Sequence, residues 1–407
     1  MKKKIVLVIV TLIFMVSACS ARTAPAEETN NTSPDGQVTN EGEPAEPSAQ
    51  QTAEKSEDDR KSGFRIALVT DVSSVMDSGF NQAALQGIQT YSDGAGVFYS
   101  SYGTDDDTAD DYKDTVLTAI QDNAELIVCV GPHFEQAVGD LQSEYSDIYF
   151  LLLDGVPKDS DGKEITIASN VHCITYREEE AGYLVGYMAV LEGYRQFGFI
   201  GGEQIPSVVR YENGYLQGID DAAAFVENGD EIEVRCWYAD TFLANKEIEE
   251  VSGTWYENGT EIIFACGGSI YESVLSAAGE GDGMLIGVDS DQSGISERFL
   301  TSATKGIDSS VVVALDEFFA SGKKWSEKFA GEVVSYGAKE KCISLPVQGD
   351  AWRFQTATTN EYLQLLARLR AGEISIPISA DDSSIKKDII IIDEGSSNLH
   401  SQEEQDS

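Results

Sequence analysis

The sequence predicts an α/β chain in two lobes, each a parallel sheet with helices on both faces. Three observations predict it. Short apolar runs of strand length recur at 66–69, 126–130, 149–153, 197–200, 262–264 and 284–288. Amphipathic segments with helical spacing separate most of them, at 80–91, 110–122, 134–145, 181–191, 212–225 and 270–278. The alternation runs twice, once to about Ile174 and again from the helix EEEAGYLVGYMAVL and the strand FGFIGG. Near-continuous apolar strands between helices belong to parallel sheets buried on both faces. The folded stretch, 63 to about 390, is long for a single core.

The first unit, FRIALVTDVSSVMDSGFNQAALQGI at 64–88, shows where a ligand would sit. Residues 66–69 read as a buried strand, 70–79 as a polar loop, and Phe80, Ala84, Leu85, Ile88 and Tyr91 fall at helical spacing. Ligands of such sheets bind at the carboxyl ends of the strands. Asp71 lies at that end, and Phe80 and Asn81 lie where the helix begins. An acid, an aromatic face and an amide suit a flat ring with hydroxyls. They do not suit phosphate, since the loop has no glycine run to cradle one.

Ahead of this unit, residues 1–18 read as a targeting segment: a basic start at Lys2, Lys3 and Lys4, then an apolar core at 5–16 too short to span a bilayer comfortably. Val16-Ser17-Ala18-Cys19 is similar to a bacterial lipobox, which implies cleavage before Cys19 and lipid on its sulfur. The alternative is an ordinary secretory signal with an incidental cysteine. Residues 19–62, rich in Glu, Thr, Ser, Pro, Asn and Gln, cannot bury enough apolar surface to fold and read as a solvated tether. The expected protein is anchored to the extracytoplasmic side of a cell membrane rather than threaded through it.

Charge narrows the partners. With 70 acidic and 28 basic residues the formal net charge is −42, which argues against nucleic acid or an anionic membrane face. Beyond Cys19, five cysteines stand at 129, 173, 236, 266 and 342 without tight spacing, and the histidines at 133, 172 and 400 form no metal pair. Neither a disulfide scaffold nor a metal site is expected, and no cofactor. No nucleophile elbow or Cys/His pairing points to an enzyme.

Asp71, Asp154 and Asp289 each end a predicted strand. One such Asp is often a turn or cap, but three at equivalent ends converge on one crevice, where carboxylates accept hydroxyl or N–H hydrogens. Phe80 reads either as a stacking face or as the first core residue of its helix. Asn81 reads as a ligand contact or a cap, Phe264 as core or cleft wall, and Lys305 as a surface lysine or a partner for the strand-end acids.

Several stretches then form an ordered set over about 64–310: SGFNQAALQGI, FLLLDG, YREEEAGYLVGYMA, FGFIGGEQIPSV with GYLQGIDDA, IIFACGG, LIGVDSDQ and LTSATKGID. The set resembles the basic membrane protein family of solute-binding lipoproteins, the group similar to purine nucleoside receptor A. The resemblance implies a type I periplasmic-binding-protein fold and a receptor that delivers a purine nucleoside to an ABC permease. Carried over by position, Phe80 would stack on one face of the base and Phe264 cover the other. Asn81 and Asp154 would bond the base edge, and the Gly267-Gly268 turn would admit ligand to the backbone. Asp289 and Lys305 would hold the ribose, with Asp71 lining the cleft. Where the family usually has Lys-Ser or Lys-Gly before the Phe-Asn pair, this chain has Asp77-Ser78-Gly79. The expected lobes are 63–175 with about 305–330, and 176–304 with about 331–390, followed by an acidic tail at 391–407. The alternatives from other classes are a nucleoside hydrolase using strand-end acids such as Asp289 and Asp291, and a sugar or other small-solute receptor of the same fold.

Overall fold

A computed structural model describes residues 63–226, 231–279, 281–376, 378 and 389–397. The targeting segment, Cys19, the tether and the tail from 398 onward lie outside the described residues. In chain order the first elements are β1 (Arg65–Thr70), α1 (Phe80–Ala95), β2 (Phe98–Gly103), α2 (Ala109–Gln121), β3 (Leu126–Val130), α3 (Glu135–Glu144), β4 (Tyr149–Leu153) and β5 (Val171–Tyr176). There follow α4 (Glu178–Glu192), β6 (Gln196–Gly201), α5 (Pro206–Val226), β7 (Glu233–Tyr238), α6 (Lys246–Glu257), β8 (Ile262–Cys266), α7 (Ile270–Ala278) and β9 (Met284–Asp289). The last are β10 (Phe299–Lys305), α8 (Ile307–Ala320), β11 (Val333–Tyr336), β12 (Ile343–Ser344), α9 (Thr359–Arg370) and β13 (Ile390–Ser396).

These make two sheets and two lobes. The first, in the order β11-β5-β4-β3-β1-β2, is parallel throughout. The second, in the order β12-β10-β9-β8-β6-β7-β13, is parallel except for the two-residue edge β12. All five residues of β3 (LIVCV) and of β8 (IIFAC) are buried, as a strand covered on both faces requires. Ala84 and Ile88 of α1 and Val311 and Leu315 of α8 pack on Leu68, Val128 and Leu151. Val116 of α2 and Val138 and Leu141 of α3 cover the other face of the same sheet. In the second lobe α4, α5 and α9 share one core with Phe197, Val234 and Phe264, while α6 and α7 pack on Ile200, Ile263 and Leu285.

The chain passes between the lobes three times: at Arg177 between β5 and α4, at Gly306 between β10 and α8, and over 337–342 between β11 and β12. These passages are bonded to one another. Arg177 N–H donates to the Tyr336 carbonyl at 2.9 Å, Gly306 N–H to the Cys342 carbonyl at 2.6 Å, and Ala338 N–H to the Glu180 carboxylate at 2.5 Å.

Two expectations fail here. Val333–Tyr336 pairs in parallel with β5, so it completes the first sheet and not the second lobe. Its four residues alternate between exposed and half-buried, and VVSY is too short a run for its sequence to place. The supposed acidic tail begins as a strand: β13 runs parallel to β7, and Glu394 accepts from Arg235 at 2.8 Å and from the Trp255 indole at 3.1 Å. The strand opens on the apolar run Ile390-Ile391-Ile392 and only then turns acidic, so the acids of the chain end masked a strand that its isoleucines mark. Among the described residues no helix is long and apolar enough to cross a membrane.

Helices α4 and α5 touch backbone to backbone. Gly182 and Gly186 on one, Gly214 and Gly218 on the other, stand four residues apart, so each pair shares a helix face. A Cβ at Gly182 or Gly186 would collide with the carbonyls of Tyr211 or Tyr215, and one at Gly214 or Gly218 with those of Glu179 or Tyr183. This contact fixes Ser207 and Tyr211 at the start of α5, where they face the cleft. Gly182→Val should cost about 1–3 kcal/mol by overpacking. Gly253→Ala in α6, whose Cβ meets nothing within 4 Å, should instead gain roughly 0.5–1 kcal/mol. Denaturant unfolding of the two variants beside the parent checks the contrast.

Candidate functional site

The carboxyl ends of β1 and β4 in the first lobe face those of β8, β9 and β10 in the second across a cleft. The empty space in it is about 550 Å³, a figure that includes the part open to solvent.

From the first lobe, the loop after β1 is organised by two aspartates. Asp71 accepts the Ser73 N–H at 2.9 Å and the Asn81 side-chain amide at 2.8 Å. Burial raises its pKa against those hydrogen bonds. Asp77 caps α1: its carboxylate accepts the N–H groups of Gly79, Asn81 and Gln82 at 2.8, 3.1 and 3.1 Å. A carboxylate is the natural partner for those free amides. Burial nevertheless pushes its pKa up to about 6. The residues that replace the expected Lys-Ser thus hold the helix start, which sets Phe80 and Asn81.

Lys305, the last residue of β10, is the centre. Its Nζ lies 2.5 Å from Asp154, 3.3 Å from Glu178 and 3.5 Å from Asp289. It also sits 4.5 Å from the centroid of Phe80 and 5.0 Å from that of Tyr176. Burial opposes its charge, but Asp154, Asp289 and Glu178 outweigh burial and hold its pKa well above the ordinary lysine value. Glu178 is shared with Arg210 at 2.6 Å. Asp154 and Asp289 close their strands with φ of +58° and +64°, a backbone state that Asp tolerates better than most residues. Asp289 also accepts the Tyr211 hydroxyl at 3.1 Å. Burial raises its pKa while Lys305 lowers it.

Of the residues picked from the sequence, Asp71, Phe80, Asn81, Asp154, Gly268, Asp289 and Lys305 all line this cleft. Phe264 does not. It is fully buried and packs edge-on against Phe199, Tyr211 and Tyr215 at 5.4–5.8 Å. Strand alternation turns it toward α4 and α5. The cleft's other aromatic wall is Phe242, in the loop after β7. The role expected of the Gly267-Gly268 turn changes accordingly. A Cβ at Gly202 or Gly267 would run into the Phe242 ring, and one at Gly268 into its backbone. These glycines make room for an aromatic side chain. Asp291 does not line this cleft; it lines an adjoining cavity that shares Asp289 and Lys305 with it, and there accepts the Ser293 N–H at 3.0 Å.

The sequence reading also missed His133, Glu178, Ser207 and Tyr211. His133 follows Gly131 (φ +107°) on a 3-10 turn after β3, and its Nε2 meets Glu203 of the second lobe at 2.9 Å. Further links between the lobes run from Gln292 to the Ser78 carbonyl and from Ser290 to that of Gly79, at 3.3 and 3.4 Å. Of the cleft's buried side-chain atoms, Asn81 Oδ1 and Asp154 Oδ1, both acceptors, have no partner among the described residues. Among those residues no cluster of His, Cys, Asp or Glu could hold a metal.

Against known proteins, residues 64–379 match a family model described as PnrA-like ABC transporter substrate-binding proteins. An ABC transporter nucleoside-binding protein from Lactococcus lactis is 24% identical over 338 residues, 78% of this chain and 90% of the relative. Basic membrane protein B of Borreliella burgdorferi is 27% identical over 292 residues, 70% of this chain and 76% of the relative. Among solved structures, an ABC transporter solute-binding protein from Aeropyrum pernix superposes with a TM-score of 0.66 at 18% identity, over 79% of this chain and 95% of that one. That likeness supports the type I periplasmic-binding-protein fold.

The Asp77 cap has a pH signature. A carboxyl raised to about 6 in the folded state, from about 3.8 unfolded, binds more protons folded than unfolded between those values. Its contribution to stability is full below about pH 4 and lost as pH rises through about 6. Asp77→Asn keeps a cap and removes the titration. Melting temperatures followed from pH 4 to 7 should show the parent falling relative to Asp77→Asn across that window.

Proposed function

Because the chain belongs to the PnrA-like family of ABC transporter substrate-binding proteins, we propose that it is a lipid-anchored extracytoplasmic receptor passing a purine nucleoside to an ABC importer. The observation that carries this reading is the pairing of surfaces in the cleft. Phe80 from one lobe and Phe242 from the other give aromatic walls, while Asn81 and Asp154 hold buried acceptors that lack partners. A purine ring fills the first and the donors of base and ribose fill the second. Asp71 and Asn81 meet the base, and Asp289 and Lys305 meet the ribose hydroxyls, with Asp154 between them. The name of the Lactococcus lactis relative points the same way. A ligand touching both lobes favours the closed arrangement by its differential contacts.

Titration calorimetry against nucleosides, free bases, nucleotides and sugars tests this. Phe80→Ala and Phe242→Ala should each weaken nucleosides and free bases alike, by about 1–3 kcal/mol for lost stacking. Asp289→Ala should weaken nucleosides and spare free bases. AMP and GMP should bind worse than adenosine and guanosine, because a phosphate on the ribose would enter beside Asp154 and Asp289. Tighter nucleotide binding, or binding of sugars alone, would overturn the assignment. For the anchor, Cys19→Ser should move the protein from the membrane fraction to the soluble extracytoplasmic fraction, since no sulfur remains to carry lipid.

A further inference from the structure

On the nucleoside reading, on which this inference rests, the polar groups beside the aromatic walls divide by sign. Asp71 Oδ1 takes the Ser73 N–H and the Asn81 Nδ2. That bond fixes the Asn81 amide, because turned over it would set its oxygen against a carboxylate. Asn81 Oδ1 therefore looks away from Asp71, is buried, and has no partner among the described residues. Here the cleft asks its ligand for an N–H.

His133 is the opposite. It lines the same cleft, stacked on Tyr112 at 5.2 Å and 13°, with its ring edge-on to Phe242 at 6.2 Å. Glu203 stands 2.9 Å from Nε2, and a carboxylate there keeps the proton on Nε2. The charged and titratable groups around the ring are Glu203 from the loop after β6, Asp107 from the loop before α2, Asp71 at the end of β1, and Tyr112 on α2, whose hydroxyl is bound to Asp107 at 2.7 Å. Burial opposes the imidazolium, but the Glu203 hydrogen bond and the surrounding carboxylates outweigh it, and its pKa is raised. Protonated, the ring offers Nδ1–H as a second donor.

We propose that His133, aimed by Glu203, selects 6-oxopurine nucleosides over adenosine, with its Nδ1–H on O6 while Asn81 and Asp71 take N1–H. A 6-oxopurine carries an acceptor at O6 beside a donor at N1. Adenine carries the reverse, N6–H beside a bare N1. Adenosine would set a donor against the imidazolium and an acceptor against Asn81 and Asp71, leaving buried groups unpaired.

Calorimetry of the detergent-solubilised protein with inosine, guanosine and adenosine tests this. At about pH 6 inosine and guanosine should bind roughly 10- to 100-fold tighter than adenosine. Near pH 8, still below the ionisation of the purine N1–H, the ratio should narrow, since a neutral Nδ1 accepts from N6–H. His133→Phe, which keeps a ring against Tyr112 and Phe242, should bring the affinities together and remove the pH dependence. Glu203→Gln should shift the narrowing to lower pH. Should His133→Phe unfold, shown by its melt, the Glu203→Gln profile decides. Adenosine binding as tightly as inosine at low pH, or an unchanged ratio in His133→Phe, overturns the selection and leaves the receptor standing. If none of the three binds, the receptor reading falls and the selection with it.

Discussion

One ammonium group, enclosed by acids from both halves of the protein, organises the cleft. Lys305 Nζ reaches Asp154 in the first lobe, Asp289 in the second and Glu178 at the first passage between them. A buried charge is costly unless paired and hydrogen-bonded. Here three carboxylates share it, and Arg210 relieves Glu178 from behind. Of the three partners only Asp154 stands across the cleft from the lysine, so the Lys305–Asp154 pair is the one that ties the first lobe to the second. The lysine also holds its carboxylates with lone pairs to spare, as at Asp154 Oδ1. That leaves an acceptor-rich floor from a group whose own sign is positive.

Much of this was legible in the sequence, for physical reasons that vary by residue. Strands β3, β4 and β8 declared themselves because burial on both faces demands unbroken apolar runs. Strand β10, FLTSATK, did not, because its hydroxyls are satisfied inside the fold: Thr304 bonds the Ser344 carbonyl at 2.7 Å and Ser302 accepts the Gln292 N–H at 3.1 Å. Asp154 and Asp289 were visible as acids where a strand ends. Glu178 was not, since it stands in a run of three glutamates that resembles a solvated helix start, yet all three are buried.

The aromatic walls show where position outruns pattern. Phe80 begins a helix that the sequence marks, and its place follows from chain order. Phe242 sits in a loop with no period, and only the third dimension brings the glycines at 202, 267 and 268 around it. The carry-over by position from the family therefore gave the role to Phe264, which strand alternation turns into the core. His133 escaped for a similar reason: its partner Glu203 is 70 residues away, on the other lobe.

The three passages between lobes bear on how the chain reaches this state. The first lobe needs α8 and β11, yet the whole of α4 to β10 lies between them and β5. Its sheet stays open at one edge until residues 333–336 have been made, and its apolar face stays bare until 307–320 arrive. Pairings this distant in sequence are slow, because loop-closure entropy is lost before the contacts form. The nascent polypeptide thus has an extended interval in which no lobe can complete itself.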